Sequence, residues 1–594
     1  MTSTLPAEGT PWLPGIPRHR TTRPIPLPED VPRVLRAHVA TDETSDVVTE
    51  SWTEEGDSTL RVRLSGTDRA TAVVLVPAPD AVALWRPGSS RGQSSLPPSW
   101  TDDTLLTPFT GTALGSLLGR GDRPVITFGA RAADGRVRMR AGIVEETAEL
   151  LLTFEADLTE GALEVVLDLT DRRFEASVAT VGRALGLTRP PVPEAEYEPV
   201  LCTWYAFHQA LGGERLPADI RIAAGLGFGT LIVDDGWQTA DCDRGYGSCG
   251  DWEVHPAKLP DPARLVETAA GLGLRTLWWI GTPFLGHRSR AHAEGLPVLY
   301  DEPAMEAAVF DPRSARARRH LVDRLTALVR DTGAAGLKVD FLERYALDSP
   351  VAPPEDAVHP SVPRAALSLL DEIHTALARH VPHPAVEFRE PYVSAETVGR
   401  ATMLRVADCP MSPVDNRVGI VDLRLTTRGV AVHSDPVMWG ESDSPERVAQ
   451  HLHSSLFGVP QVSVALARQS EAQLATLRTW LRLWREHREV LLHGELRVTG
   501  ITGSYTTVEA RRDGVTVTAQ YAPAISPVPA DTGRWIVANA HDDEIVVRSD
   551  EPRTARFGIT GCAGDVVSEG TVVLDGLAVF AVPAGGVLRL TFDA

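Results

Sequence analysis

Through the first third of the chain, apolar and polar positions alternate with a period of two. The runs TLRVRLSG, TAVVLVPAPDAVALW, PVITFGAR, RVRMRAGIV, AELLLTFEADL and ALEVVLDL each read as a strand, punctuated by Asp, Gly and Pro. This pattern predicts an all-β sandwich over 1–190. A Pro-rich, acidic stretch, TRPPVPEAEYEP, follows as a linker. From about residue 200 the rhythm changes: short apolar strands now alternate with longer amphipathic segments. The predicted strands are PVLCTW, TLIVDD, RTLWWI, GLKVDF, AVEF, MLRVAD, PVMWG and VSVAL. The clearest helix is DPRSARARRHLVDRLTALVRDTG, with Leu321, Leu325 and Leu328 on one face. The last is SEAQLATLRTWLRLWREHREVLL. Eight strands in βα alternation imply a parallel sheet, and at this length a (β/α)8 TIM barrel over 191–493. After about residue 493 the alternation stops. TTVEARR, VTVTAQY, RWIVANA, EIVVRS, VVLDG, AVFAV and VLRLTF predict a C-terminal antiparallel β-sandwich over 494–594.

Size and charge narrow the function. A chain of 594 residues is too long for one core and is consistent with several domains. Its formal net charge of −21 argues against nucleic acid or an anionic membrane as partner, and suits a neutral sugar or small molecule. Five cysteines, an odd and sparse set, form no disulfide framework and no metal-site spacing. The N-terminus lacks the basic-then-apolar pattern of a secretory leader, and no run reaches the length of a membrane span. The expected location is the cytoplasm.

The chemistry sits at the predicted strand ends. In such a barrel, the C-terminal ends of the strands build the active site. Strand one ends at Trp204, strand two at Asp234 and Asp235, strand four at Lys338 and Asp340, and strand six at Arg405 and Asp408. A lone Asp there usually caps the next helix. The whole set points instead to a site. Carboxylates accept from sugar hydroxyls, cations hold their geometry, and an indole packs against a sugar's apolar face. Two carboxylates are also the usual equipment of a glycosidase, which needs no metal or organic cofactor. Lys338 and Asp340 share one side of their strand, so Lys338 is expected to keep Asp340 ionised. Arg405 is expected to contact substrate, with Asp408 raised in pKa as a proton donor.

Several motifs resemble glycoside hydrolase family 36 (GH36), the bacterial α-galactosidases, over most of the chain. LIVDDGWQ is similar to the family's DDGW segment, and CGDWEVHPAKLP to its LGDW…KLP segment. LKVDF resembles the nucleophile strand, RVADCPMSPVDNR the acid/base segment, and WREHREVLLHGEL the helix after the barrel. The resemblance implies a β-sandwich, a (β/α)8 barrel and a C-terminal β-domain. It implies a retaining exo-acting hydrolase with Asp340 as nucleophile and Asp408 as acid/base. Trp204, Asp234, Asp235, Trp237, Asp251, Trp252, Lys338 and Arg405 would then bind the substrate. Departures surround the site. EFREPYVSAE replaces the family's C-x-S-G-G-G-R segment, which leaves Arg389 and Glu390 unexplained. DFLER replaces D-M-N-R, which makes Glu343 and Arg344 new, and Asp415 competes with Asp408.

Four readings stay open at this point: α-galactoside hydrolysis, the same chemistry on a related glycoside, transglycosylation, and non-catalytic carbohydrate binding. The related glycosides are an α-N-acetylgalactosaminide, a β-L-arabinopyranoside and an α-glucoside. The expected partner is an oligosaccharide or glycoside substrate, and a homo-oligomer remains open.

Overall fold

The computed structural model describes residues 16–593 apart from 18, 33, 34, 43, 44, 55, 57, 79, 89–94, 102 and 348–350. The first fifteen residues, most of the stretch read as lacking a leader, lie outside the described residues. Among those described, no helix is long and apolar enough to cross a membrane.

Period-two alternation in the N-terminal region produces two six-stranded sheets. Their inner faces meet in a core that includes Val62, Leu64, Val74, Phe128, Leu152 and Phe154. A helix not foreseen from the pattern, Phe174–Ala184, closes this region. The Pro-rich stretch after it is anchored rather than loose. Buried Glu196 accepts two hydrogen bonds from Arg275, at 3.0 and 2.8 Å, and its carbonyl oxygen lies 2.8 Å from His433 Nε2. The linker therefore runs across the closed end of the barrel.

The barrel strands are Val200–Cys202, Thr230–Val233, Arg275–Gly281, Gly336–Asp340, Ala385–Arg389, Met403–Arg405, Ala431–His433 and Gln461–Val462. They form one sheet of eight. Seven ladders are parallel. Bridges from His433 to Val459 and from Val437 to Val462 join the last two strands. The seventh strand corrects the expectation of PVMWG. It is the shorter, fully buried Ala431–His433, and PVMWG forms the segment that carries the closing bridge at Val437. Strand one likewise stops at Cys202, and Trp204 opens a short helix, Trp204–Phe207.

The helix Ala315–Thr332 buries Leu321, Leu325 and Leu328. Ser314 caps its start through Ala317 N, and Gly333, at φ 75°, ends it in the left-handed conformation that glycine adopts without strain. The long helix Glu471–His493 starts on a capping box of Ser470 and Gln473. After barrel strand three, a small antiparallel sheet, Phe284–Gly286, Val298–Glu302 and Ala307–Phe310, stands at the mouth.

The C-terminal strands form one eight-stranded sheet around Trp535, Ile545, Leu574 and Leu588. It is antiparallel except where Val515–Gln520 meets Arg534–Asn539 and Ile525–Pro527 meets Glu544–Thr560.

One carboxylate joins all three regions. Asp422, fully buried on the barrel helix Pro413–Thr426, accepts from Trp85 Nε1 (3.3 Å) and Gly88 N (2.8 Å) of the N-terminal region. It also accepts from Tyr505 OH of the C-terminal region. Removing it takes away the acceptor that Tyr505 OH and Gly88 N use, each lost bond costing roughly 1–3 kcal/mol, while Trp85 Nε1 still donates to Tyr505 OH at 2.8 Å. Asp422→Ala is therefore expected to lower unfolding stability by about 2 kcal/mol or more, and Tyr505→Phe by about 1 kcal/mol. Denaturant titration checks both. A loss below about 1 kcal/mol in the alanine variant would refute the junction role.

Candidate active site

Strand register decides which side chains meet at the mouth. Lys338 pairs in register with Trp279 on one side and Glu387 on the other. Two residues further along, Arg389 pairs with Arg405, and Arg405 with His433. Since i and i+2 share a face, Lys338 with Asp340 and Glu387 with Arg389 fall on one side of their strands. Three cations and several carboxylates thus lie inside a ring of apolar strands.

Asp340 ends strand four and is almost wholly buried. Four donors converge on its carboxylate: Trp279 Nε1 (3.1 Å), Phe341 N (2.8 Å), Arg389 Nε (2.7 Å) and Tyr392 OH (3.1 Å). Burial opposes its ionisation. Arg389 first, then Lys338 and Arg405, outweigh burial and hold the carboxyl well below the usual range. Lys338 thus helps to keep Asp340 ionised, as expected, but without direct contact. Its ammonium binds Asp234 Oδ2 at 2.5 Å, and Arg389 is the direct partner of Asp340. The residue after Asp340, Phe341, sits at φ 65°, a backbone conformation unfavourable for a bulky side chain. Tyr246, Trp279, Phe284 and Phe341 pack edge and face behind it, with centroids 4.6–6.4 Å apart.

Asp234 and Asp235 follow strand two directly. Asp234 accepts from Lys338 and from Cys202 Sγ (3.3 Å), and its Oδ1 accepts from Asp235 N (2.9 Å). Asp235 is held by Gln209 Nε2 (2.9 Å) and Gln238 Nε2 (2.6 Å). Burial raises its pKa to about 6 despite these bonds.

Asp408 lies just beyond strand six, and its side chain is 56% exposed. Arg405 Nη1 donates to it at 2.9 Å. The expected arrangement is therefore corrected: Arg405 pairs with Asp408 directly. Burial and the Asp340 charge push the Asp408 pKa up, but Arg405 prevails and the balance is downward. Asp415, the competing carboxylate, accepts from Ser412 Oγ at 2.8 Å at the start of the helix Pro413–Thr426. Its side chain is engaged in the helix cap.

The remaining predicted residues divide. Trp204 is half-buried at the mouth, edge-on to His208 at 4.8 Å. Trp237 is fully buried and donates to the Trp279 carbonyl at 3.0 Å, so it buttresses strand three from behind rather than offering a surface to substrate. Asp251 accepts from Arg290 N and Ala291 N, each at 3.0 Å, and so caps the short helix Arg290–Ala293. Trp252 packs between Trp237 and Trp279. All five cysteines are free thiols.

Sequence reasoning missed Glu387, Tyr392, Asp435, Tyr205, Gln209 and Gln238. It left Arg389 without a role, and Arg389 turns out to bridge Asp340 and Glu343, the latter at 2.8 Å. The i, i+2 spacing in AVEFRE matches that of LKVDF and was the available signal for Glu387 and Arg389. Asp435, two residues past strand seven, was hidden when that strand was placed at PVMWG.

No protein-family model matches the chain. A curated relative, "Alpha-galactosidase 2" of Pediococcus pentosaceus, is 28% identical over 149 residues. That match takes in 24% of this chain and about a fifth, 21%, of the relative's length. Solved structures match much more broadly. A GH36 α-galactosidase of Geobacillus stearothermophilus, in complex with 1-deoxygalactonojirimycin, superposes with a TM-score of 0.63 at 15% identity. The match covers 97% of this chain and 87% of that one. The α-galactosidase of Lactobacillus brevis gives 0.58 at 12% identity, covering 97% and 85%. That of Thermus thermophilus, in complex with stachyose, gives 0.51 at 19% identity, covering 73% and 99%. The architecture is thus that of a multidomain TIM-barrel protein with flanking β-domains. More particularly, the fold is GH36 α-galactosidase-like along nearly the whole chain.

Glu390, next to Arg389, is a strongly perturbed acid near the site. Burial, with the Asp422 charge second, raises its pKa to about 8. The folded protein therefore binds a proton here that the unfolded chain releases above its ordinary carboxylate pKa. Stability falls as pH rises from about 4.5 to about 8, by up to about 1.4 kcal/mol per pH unit. Glu390→Gln is expected to raise the melting temperature at pH 8 and leave it nearly unchanged at pH 4.5. Equal shifts at both pH values would contradict the buried neutral acid.

Proposed function

We propose that the chain is a retaining, exo-acting glycoside hydrolase and that its substrate is an α-galactoside. The observation that carries this reading is the contrast between two carboxylates at one barrel mouth. Asp340 is buried, gripped by four donors and held ionised, as a nucleophile must be. Asp408 is open to solvent on one side and paired with Arg405, which holds it ionised in the free protein while the Asp340 charge opposes that ionisation.

The reaction follows in two steps. Asp340 attacks the anomeric carbon while Asp408 gives its proton to the departing glycosidic oxygen. A glycosyl ester forms, and the bond to the leaving group breaks. The Asp340 charge is then gone, so Asp408, still beside Arg405, stays ionised and can act as base. It takes a proton from water, whose oxygen attacks the anomeric carbon and frees Asp340. A bound sugar also covers the exposed side of Asp408, and this desolvation raises its pKa for the first step.

Asp234, Asp235 and Lys338 form the polar floor on which sugar hydroxyls would dock, and Trp204 forms a wall. The matched GH36 structures hold 1-deoxygalactonojirimycin, stachyose and raffinose, which favours a galactoside in this pocket. Arg389 and Glu343 crowd the nucleophile, an observation that keeps a related glycoside as the second reading.

A panel of p-nitrophenyl glycosides tests the proposal: α-galactoside, α-N-acetylgalactosaminide, α-glucoside and β-L-arabinopyranoside. Release from the α-galactoside is expected, with retention of anomeric configuration by NMR. Asp340→Asn should lower kcat by about 10⁴-fold or more. Release from another member alone would correct the sugar and keep the mechanism. Inversion at the anomeric carbon would refute the two-step scheme.

The Arg389–Asp340 pair gives a second test. Without the guanidinium, the Asp340 carboxyl protonates at higher pH, so activity is lost earlier on acidification. Arg389→Met is expected to move the acidic limb of kcat/KM upward by about one pH unit or more. An unmoved limb would remove Arg389 from the role assigned to it.

A further inference from the structure

We propose that Asp435 is a positioning residue for the proton donor: it shares the Arg405 guanidinium with Asp408 and so governs when Asp408 holds its proton. The inference rests on reading Asp408 as the acid/base.

Arg405 is buried at the end of strand six. Its Nη1 donates to Asp408 Oδ1 at 2.9 Å and also to Asp435 Oδ1. Asp435 follows strand seven and is wholly inaccessible. Its Oδ2 accepts from Tyr205 OH and from Cys409 N, both at 2.9 Å. Cys409 directly follows Asp408. Asp435 therefore grips the donor from two sides, through the guanidinium on its carboxyl and through the backbone just after it. Asn416 holds the Asp435 backbone in turn: Asp435 N donates to Asn416 Oδ1 (3.1 Å), and Asn416 Nδ2 to the Asp435 carbonyl (3.0 Å).

Asp435 cannot be the donor itself, because both its oxygens are occupied and it offers no surface to substrate. Its effect is electrostatic. A proton donor beside an arginine is held ionised unless another anion takes part of that charge. Asp435 does so, and its own negative charge disfavours a second anion at Asp408. The other groups acting on Asp408 are Asp340 and Lys338 from strand four and Arg389 from strand five. Glu387 approaches Arg405 Nε at 3.7 Å. Asp435 is raised to about 6 by burial, with Arg405 opposing. It is thus largely ionised above that pH, where its charge opposes a second anion at Asp408.

Asp435→Asn tests the proposal. With Arg405 left to Asp408, the basic limb of kcat/KM is expected to move down by about one pH unit. The loss in kcat should be about tenfold greater for methyl α-galactoside, which needs protonation, than for the 2,4-dinitrophenyl glycoside, which does not. Tyr205→Phe, which removes one hydrogen bond from ionised Asp435, should shift the limb in the same direction by less, and serves if Asp435→Asn does not fold. An unmoved limb with equal losses on both substrates would overturn the proposal. The Asp408 carboxyl is also titrated directly by carbon-13 NMR of aspartate-labelled protein, assigned with Asp408→Asn. A lower pKa in Asp435→Asn supports the inference, and an unchanged one refutes it. This readout holds even if the wild type cleaves no glycoside, a result that would count against the hydrolase reading instead.

Discussion

The structure turns on a shortage of cations in a closed space. The barrel encloses Asp234, Asp235, Asp340, Glu387 and Asp435 within apolar walls, with Asp408 at the rim. Lys338, Arg389 and Arg405 are the positive charges among them. In such a setting each carboxylate's state follows from its share of a cation. Asp340 has Arg389 and stays ionised. Asp235 has only amide donors and is raised to about 6. Asp408 and Asp435 divide Arg405 between them. The protonation of each acid at the mouth is set by burial together with this allocation rather than by residue type.

Much of the architecture could be read from hydrophobic periodicity. Period-two runs marked the N-terminal sheets, and the switch to short strands separated by helices marked the barrel. Ala315–Thr332 and Glu471–His493 were legible because long amphipathic helices carry their own signal. Strand seven was not. Three residues, Ala431–His433, are too few to show any period, and the apolar PVMWG nearby gave a stronger false signal. Losing that strand also hid Asp435.

The candidate site was legible as a set of strand-end residues but not as a set of partners. Lys338 and Asp340 share a face, so a contact between them was a fair expectation. The register instead turns Lys338 toward Asp234 and brings Arg389 across from strand five. Such pairings depend on neighbours distant in sequence, which spacing alone does not reveal. Asp251 and Trp237 show the converse. Each lies in a family-like motif, yet one caps a helix and the other braces a strand. A motif can be retained for the loop it shapes as well as for the ligand it touches.

Asp422 has a meaning beyond stability. One barrel carboxylate receives donors from the region before the barrel and from the region after it. Segments that lie before and after the barrel in the sequence must therefore both be in place before this acid is fully partnered. An architecture that looks like three beads on a string is tied, at this point, through one side chain, so a shift of either flank is felt directly on a barrel helix.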